Sequence, residues 1–287
     1  MNHENPNTPW PLATNVYPWY TFYKRQGRDF KADLESFITE IKQSGADSLE
    51  PILKSAESTD RLSEVMTNQG VAMVSAYVNS ELHEKSSSQT SIETVIRLAT
   101  QAQARMGTKI IVTNPSPINW EGPENKNDDQ VQLQGEALNQ LGKALSAEGL
   151  TLAYHNHDPE LRMAGREFHH MLASTDPERV KFCLDSHWIY RGSGNSNMAL
   201  YDVIRLYGDR IVELHIRQSQ NEIWTETFGE GDIDYQKLTN VLTERGIRPL
   251  VTIEQAVEEK SLNTMNSLEA HKISHAQARK TFAPFLK

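Results

Sequence analysis

Cysteine is almost absent from this 287-residue chain: Cys183 stands alone. One thiol inside an apolar run excludes an intramolecular disulfide framework and a thiolate cluster for zinc. Basic charge is also short, with 29 Lys and Arg against 38 Asp and Glu, a net charge of -9. Nucleic acid and anionic membrane surfaces are bound by clustered cations that neutralise phosphates, so neither is expected as a partner. Long apolar runs are missing as well, and none approaches the roughly 18 residues that span a bilayer. The opening MNHENPNTPWPLATN lacks a basic segment followed by an apolar core, so it does not read as a secretory leader. The chain therefore reads as cytoplasmic, although a leader already removed would leave no trace. What is present, 38% hydrophobic and 23% charged residues, suits a globular protein with a sizeable core.

Eight short apolar stretches recur along the chain, at 15–20, 46–52, 71–78, 109–114, 150–156, 180–185, 210–216 and 249–254. Between them lie segments with apolar residues at helical spacing, such as Phe30, Leu34, Phe37, Ile38 and Ile41, or Ile92, Val95, Ile96 and Ala99. Later helices are expected over 131–147, 166–174, 198–207, 235–245 and about 262–282. Gly45, Gly70, Gly107, Gly149, Gly208 and Gly246 fall one to three residues before the next strand, where a left-handed cap ends a helix. Eight strand-helix units of about 30 residues, with no linker between them, predict a single (β/α)8 TIM barrel. One domain covers 1–287, with 1–14 as an N-terminal extension. A doubly wound open sheet would show a Gly-rich turn after the first strand, and NVYPWYTFY has none.

Four strands of the second half end on metal-grade side chains: LTLAYHNH on His155 and His157, VKFCLDSH on Asp185 and His187, IVELHIR on His215, and LVTIE on Glu254. Alternation along a strand puts His155 with His157, Asp185 with His187, and His215 with Arg217 on one face. In a barrel these tips lie on the functional, C-terminal face. Asp185, His215 and Glu254 are the expected ligands of one divalent ion, and the mixed imidazole and carboxylate set suits Mn, Co, Zn or Mg. On the fifth strand, His155, His157 and Glu160 are each candidates to complete the shell. Asn156 points the other way and is expected to hydrogen-bond a loop. Glu50, at the second strand's tip, is placed either to bind substrate or move a proton, or to cap its loop. Trp188, Trp224, Tyr17, Trp19 and Tyr77 are candidate walls for a sugar ring. Phe228-Gly229-Glu230-Gly231-Asp232-Ile233-Asp234-Tyr235 reads as a tight loop that either closes over substrate or simply starts the following helix, with Asp234 as its N-cap.

YHNHDPEL, CLDSHW, ELHIRQS, FGEGDIDY and VTIEQ, in this order and spacing, resemble the xylose isomerase-like TIM-barrel superfamily of sugar phosphate isomerases and epimerases. The likeness runs from Asn15 to about Phe285. It implies one divalent cation held by a strand-five carboxylate and by Asp185, His215 and Glu254. This chain departs from the pattern at strand five, where His155-Asn156-His157 replaces Glu-Asn-His. Either His155 takes the fourth place or Glu160 folds back to it. The implied chemistry is an isomerase or epimerase acting through an enediolate on a small carbohydrate. His157 or Glu254 would serve as base, and Arg217 would stabilise the enediolate oxygen. The runner-up is a lyase or dehydratase of a keto-sugar or polyol with a strand-five histidine as base. An endonuclease on the same scaffold fits poorly with the acidic balance, and a non-catalytic sugar-binding barrel is the bland alternative. Phosphorylation of the substrate is not favoured, and homo-oligomer formation stays open.

Overall fold

The computed structural model describes residues 11–29 and 32–286. Eight strands form one parallel sheet: β1 (Leu12–Asn15), β2 (Ser48–Glu50), β3 (Ser75–Tyr77), β4 (Ile110–Thr113), β5 (Thr151–His155), β6 (Val180–Asp185), β7 (Ile211–Ile216) and β8 (Leu250–Ile253). Their spatial order is β2-β1-β8-β7-β6-β5-β4-β3. The ring closes through single bridges between the segments of β2 and β3, Ser48 to Ala72 and Ile52 to Tyr77. Helices α1 (Val16–Arg25), α2 (Leu34–Gln43), α3 (Ala56–Gln69), α4 (Ser88–Met106), α5 (Asp128–Ala147), α6 (Arg162–Ser174), α7 (Ser186–Gly192), α8 (Asn197–Tyr207), α9 (Tyr235–Glu244) and α10 (Ser267–Thr281) lie between and after them. The expected (β/α)8 TIM barrel is what the chain forms.

Alternation along each strand divides the core in two. Leu12, Leu49, Ile111, Leu152, Tyr154, Phe182, Leu184, Leu214, Val251 and Ile253 face outward and bury against the helices. The complementary residues, Ala13, Tyr77, Ile110, Val112, Ala153, Cys183 and Leu250, pack in a smaller cluster of their own. Continuing that inward phase to the strand tips reaches Asn15, Glu50, His155, Asp185 and His215, all at most 1% exposed. The periodicity that fills the barrel thus delivers its polar residues to one end.

Three details differ from the sequence expectation. The first strand is Leu12–Asn15, three residues of which lie in the supposed extension, and 16–25 is helix. Asn15 caps that helix by accepting from the Tyr17 amide, 2.6 Å. Pro18 sits in the first turn, where no intrahelical acceptor awaits its missing N–H, whereas inside a strand it would break the ladder. Gly208 has φ -55° and is not a left-handed cap, unlike the other five proposed glycines; a Cβ on it would lie 2.8 Å from the Arg245 guanidinium. Phe30 lies outside the described residues, and the last helix begins at Ser267 rather than near 262.

Candidate active site

Four side chains from four consecutive strand tips converge: His155, Asp185, His215 and Glu254 each offer a donor atom, all within 4.8 Å of one another. His155 Nε2 is 3.1 Å from His215 Nδ1 and 3.8 Å from Asp185 Oδ2. His215 Nδ1 is 3.7 Å from Glu254 Oε2. Donors about 2.1 Å from a shared ion at tetrahedral or octahedral angles lie about 3.0 to 3.4 Å apart, so the His155–His215 pair already has that spacing and the two carboxylates would each draw in by about half an ångström to share a divalent cation with it. Asp185 Oδ2 is buried and has no hydrogen-bond partner among the described residues. A polar atom left so, facing another carboxylate and two imidazoles, is what a bound cation would satisfy.

For Asp185 the expectations of ligand and helix cap do not exclude one another, because its two oxygens face different groups. Oδ1 accepts from the Trp188 amide at 2.8 Å and caps α7, while Oδ2 faces the cluster. Asn156 holds the same strand end: its side chain donates to Asp185 O at 3.1 Å and accepts from Asp185 N at 3.0 Å. Because α7 starts at Ser186, alternation stops at Asp185. His187 does not share its face and instead meets Ser219 Oγ at 2.9 Å.

Glu160 is not one of the four. Its carboxylate accepts from Asn114 Nδ2 at 2.6 Å and from the His157 backbone N–H at 2.9 Å, so it braces the strand-five loop. Burial, with Glu167 nearby, pushes it up to about 7. Glu50 is fully buried; Oε1 accepts from Asn15 Nδ2 at 2.5 Å and lies 3.1 Å from His215 Nε2. Glu213 Oε1 stands 3.6 Å from the same nitrogen. Two carboxylates at Nε2 favour a proton there, which leaves Nδ1 as the lone-pair atom turned to the cluster. Glu213 had no part in the sequence reading, although it shares a face with His215 two residues away.

His157 lies just beyond β5, its ring 4.6 Å from that of His155, so the expected shared face is observed. Burial pulls its imidazole down to about 3, which leaves it neutral near pH 7. Trp120 and Trp188 flank it, with ring centroids 5.0 and 5.8 Å away. Arg217 is 1% exposed; Nη2 donates to Glu254 Oε2 at 2.7 Å and Nε to Glu254 O at 2.8 Å. Its Nη1 has no hydrogen-bond partner among the described residues, and its guanidinium lies over Trp224, 4.1 Å from the ring centre. Against the upward push of burial, Arg217 and then His215 hold the Glu254 carboxyl well below the usual range. Burial pushes the Asp185 carboxyl up to about 7, with Arg217 opposing.

Among the aromatic candidates, Trp19 is packing, fully buried and stacked on His271 at 3.8 Å, whereas Tyr77 meets the His155 ring edge-on at 5.5 Å. Trp188 and Trp224 stand at the mouth, and Tyr17 is 37% exposed. Trp120 was missed. It belongs to no strand and follows no periodic pattern, and only its 51% exposure beside His157 marks it.

With this geometry in view, comparison with known proteins is decisive for the family. The profile of the xylose isomerase-like TIM barrel family matches residues 38–277. The chain belongs to that family. Among curated relatives it is similar to the inosose dehydratase of Halalkalibacterium halodurans, 30% identical over 137 residues covering 42% of this chain and 44% of the relative. The inosose dehydratase of Salmonella typhimurium is 26% identical over 159 residues, 49% of this chain and 52% of that one. The matches thus span about half the length of these relatives. Among solved structures, a xylose isomerase-like TIM barrel protein from Mycobacterium smegmatis in complex with magnesium superposes with TM-score 0.75 at 13% identity, covering 99% of this chain and 100% of that chain. A D-allulose 3-epimerase from Methylomonas sp. in complex with D-allulose gives 0.71 at 13%, covering 95% and 97%. At such identity the structural likeness speaks for the fold. Among the described residues no helix is long and apolar enough to cross a membrane.

Proposed function

We propose that this protein is a divalent-metal-dependent dehydratase of a keto-polyol, the second of the two chemistries that the sequence suggests. The observation that carries this reading is the asymmetry of the site's bases. An epimerase that works with two carboxylates needs one on strand five, where this chain has His155, and a second free to take a proton. Glu254 is committed through Oε2 to Arg217 and belongs to the cluster that would hold the ion, so it is not free to take one. His157 is neutral, lies beside the cluster and has a buried Nδ1 without a partner. It is the group best placed to remove a proton from carbon. The dehydratase relatives support the same choice.

His155, Asp185, His215 and Glu254 would hold the ion. When bound, it would polarise the substrate carbonyl and acidify the neighbouring C–H. His157 takes that proton, the electron pair becomes a carbon-carbon double bond, and the β-hydroxyl departs. The imidazolium so formed carries the proton that hydroxide needs to leave as water, so the balance is one substrate to one unsaturated product and one water. Arg217 Nη1, unpaired and buried, would hydrogen-bond the enediolate oxygen as charge develops there. Glu50 and Glu213 act on His215 rather than on substrate, fixing its tautomer.

The test presents metal-loaded protein with an inosose and with D-allulose in deuterated buffer, followed by NMR. Water loss from the inosose is expected. His157→Ala should retain the metal and lose at least about 100-fold in turnover. Deuterium uptake into D-allulose with a new epimer, and no elimination from any ketone, would return the protein to the isomerase and epimerase reading.

A further inference from the structure

The loop between β4 and α5 is tied to the segment that carries His157 at two points. At its start, Asn114 Nδ2 donates to Glu160 Oε1, and Glu160 Oε2 accepts from the His157 amide. At its tip, one guanidinium gathers three carbonyls of a single turn. Arg162 Nη1 donates to Asn119 O at 3.1 Å and Gly122 O at 2.7 Å, and Nη2 donates to Trp120 O at 2.5 Å. The turn's own amides, Glu121 N and Gly122 N, are both taken by Asn119 Oδ1 at 3.0 Å. Among the described residues Arg162 has one loose carboxylate nearby, Asp158 Oδ2 at 3.9 Å, so its hydrogen bonding is directed at the loop.

Directly after Arg162 the chain turns left-handed for three residues, Met163 (φ 54°), Ala164 (φ 60°) and Gly165 (φ 70°). Two of these are not glycine and are strained there. The reversal separates the stretch from Pro159 to Arg162, which serves the mouth, from the remainder of α6, which buries Phe168, Met171 and Leu172 against the barrel. Trp120 is thereby set edge-on against the His157 ring, at 86° between planes, while half of its surface stays open. Ile118, 45% exposed, lies on the same loop.

We propose that Arg162 is a positioning residue for substrate selection: it latches the 118–122 turn so that Trp120 forms an apolar wall beside His157. The ligand that fits such a wall is a cyclic keto-polyol, which presents an apolar C–H face to an indole and its oxygens to the polar cluster. This substrate class rests on the dehydratase reading; the latch itself does not.

The experiment therefore has arms that need no substrate. In intact, metal-loaded Arg162→Gln, amide exchange at 118–122 should speed up by about tenfold or more, since two or three charge-assisted hydrogen bonds are lost. Carbethoxylation of His157 by diethyl pyrocarbonate, read by peptide mass spectrometry, should also accelerate severalfold. Trp120→Leu should raise His157 reactivity while loop exchange stays at the wild-type rate, which separates the wall from the latch. Arg162→Lys, with a single ammonium in place of the fork, should fall between the wild type and Arg162→Gln. Wild-type exchange and wild-type His157 reactivity in Arg162→Gln, with metal content and thermal stability intact, would overturn the latch. In the kinetic arm, Trp120→Leu should raise KM for an inosose with kcat nearly kept. An unchanged KM on a turned-over inosose overturns the wall, whereas no turnover by the wild type overturns the dehydratase reading and leaves the exchange arms to decide on the latch.

Discussion

Asp185 shows how much one side chain can carry. Replacing it by Ala removes both the α7 cap and the charge at the cluster, whereas Asn keeps an oxygen for the Trp188 amide. Both variants are expected to lose the divalent ion by elemental analysis. In chelator, the Ala variant should be less stable to urea than the Asn variant by about 1 kcal/mol, the worth of an N-cap. Equal stabilities would show that Oδ1 does not cap, and full metal content in either variant would remove Asp185 from the ligand set. Much of this residue was legible in advance, because a carboxylate ending an apolar strand is costly unless it has work to do. That it would do two jobs was not, since each oxygen's partner is fixed by where α7 begins. Arg162 and Trp120 were invisible for a different reason: their contact spans 42 residues and joins two irregular segments, which leave no periodic signature.

At the scale of elements, α10 carries a pair of histidines remote from the proposed chemistry. His271 Nδ1 and His275 Nδ1 each meet the carbonyl four residues earlier, Ser267 O and His271 O, at 2.7 Å, and both Nε2 atoms are buried without a partner. Burial pulls them down to about 3 and about 4. The unfolded chain takes up these protons at about pH 6.5, so their contribution to stability is whole above that value and is lost as pH falls toward the folded values. Each costs up to about 1.4 kcal/mol per pH unit across this window. His275→Gln should flatten the fall in unfolding free energy between about pH 6.5 and 4 by close to one proton; an unaltered slope in urea titrations would contradict its neutral burial. The helix is legible from its spacing but the burial of its histidines is not, because it depends on Trp19 stacking on His271 from far along the sequence. The first strand is misplaced by its apolar pattern, because Asn15 and Pro18 start a helix inside that stretch. Strands five to eight were read nearly to the residue, since their β-branched and aromatic runs sit between clear stops.

For the whole molecule, the metal site proposed at the cluster of two carboxylates and two imidazoles would couple folding to metal binding. Saturating Mn or Mg at about 100 times its Kd should add about 2.7 kcal/mol and raise Tm by several degrees, as followed by circular dichroism with and without chelator. A Tm indifferent to every divalent ion would argue that the four side chains converge for another reason. The barrel's connections add an unequal geography. Asn15 passes into α1 and Asp185 into α7 with no residue between, while 114–127, 217–234 and 254–266 form long stretches above β4, β7 and β8. At the two direct joints, an inserted residue would rotate a helix start away from its cap and pull a site side chain with it. Homologous chains are accordingly expected to keep constant length there and to gain or lose residues in the three long stretches. A directed library for new substrates belongs on those three stretches, for the direct joints at β1 and β6 that flank β7 and β8 leave no slack to reshape.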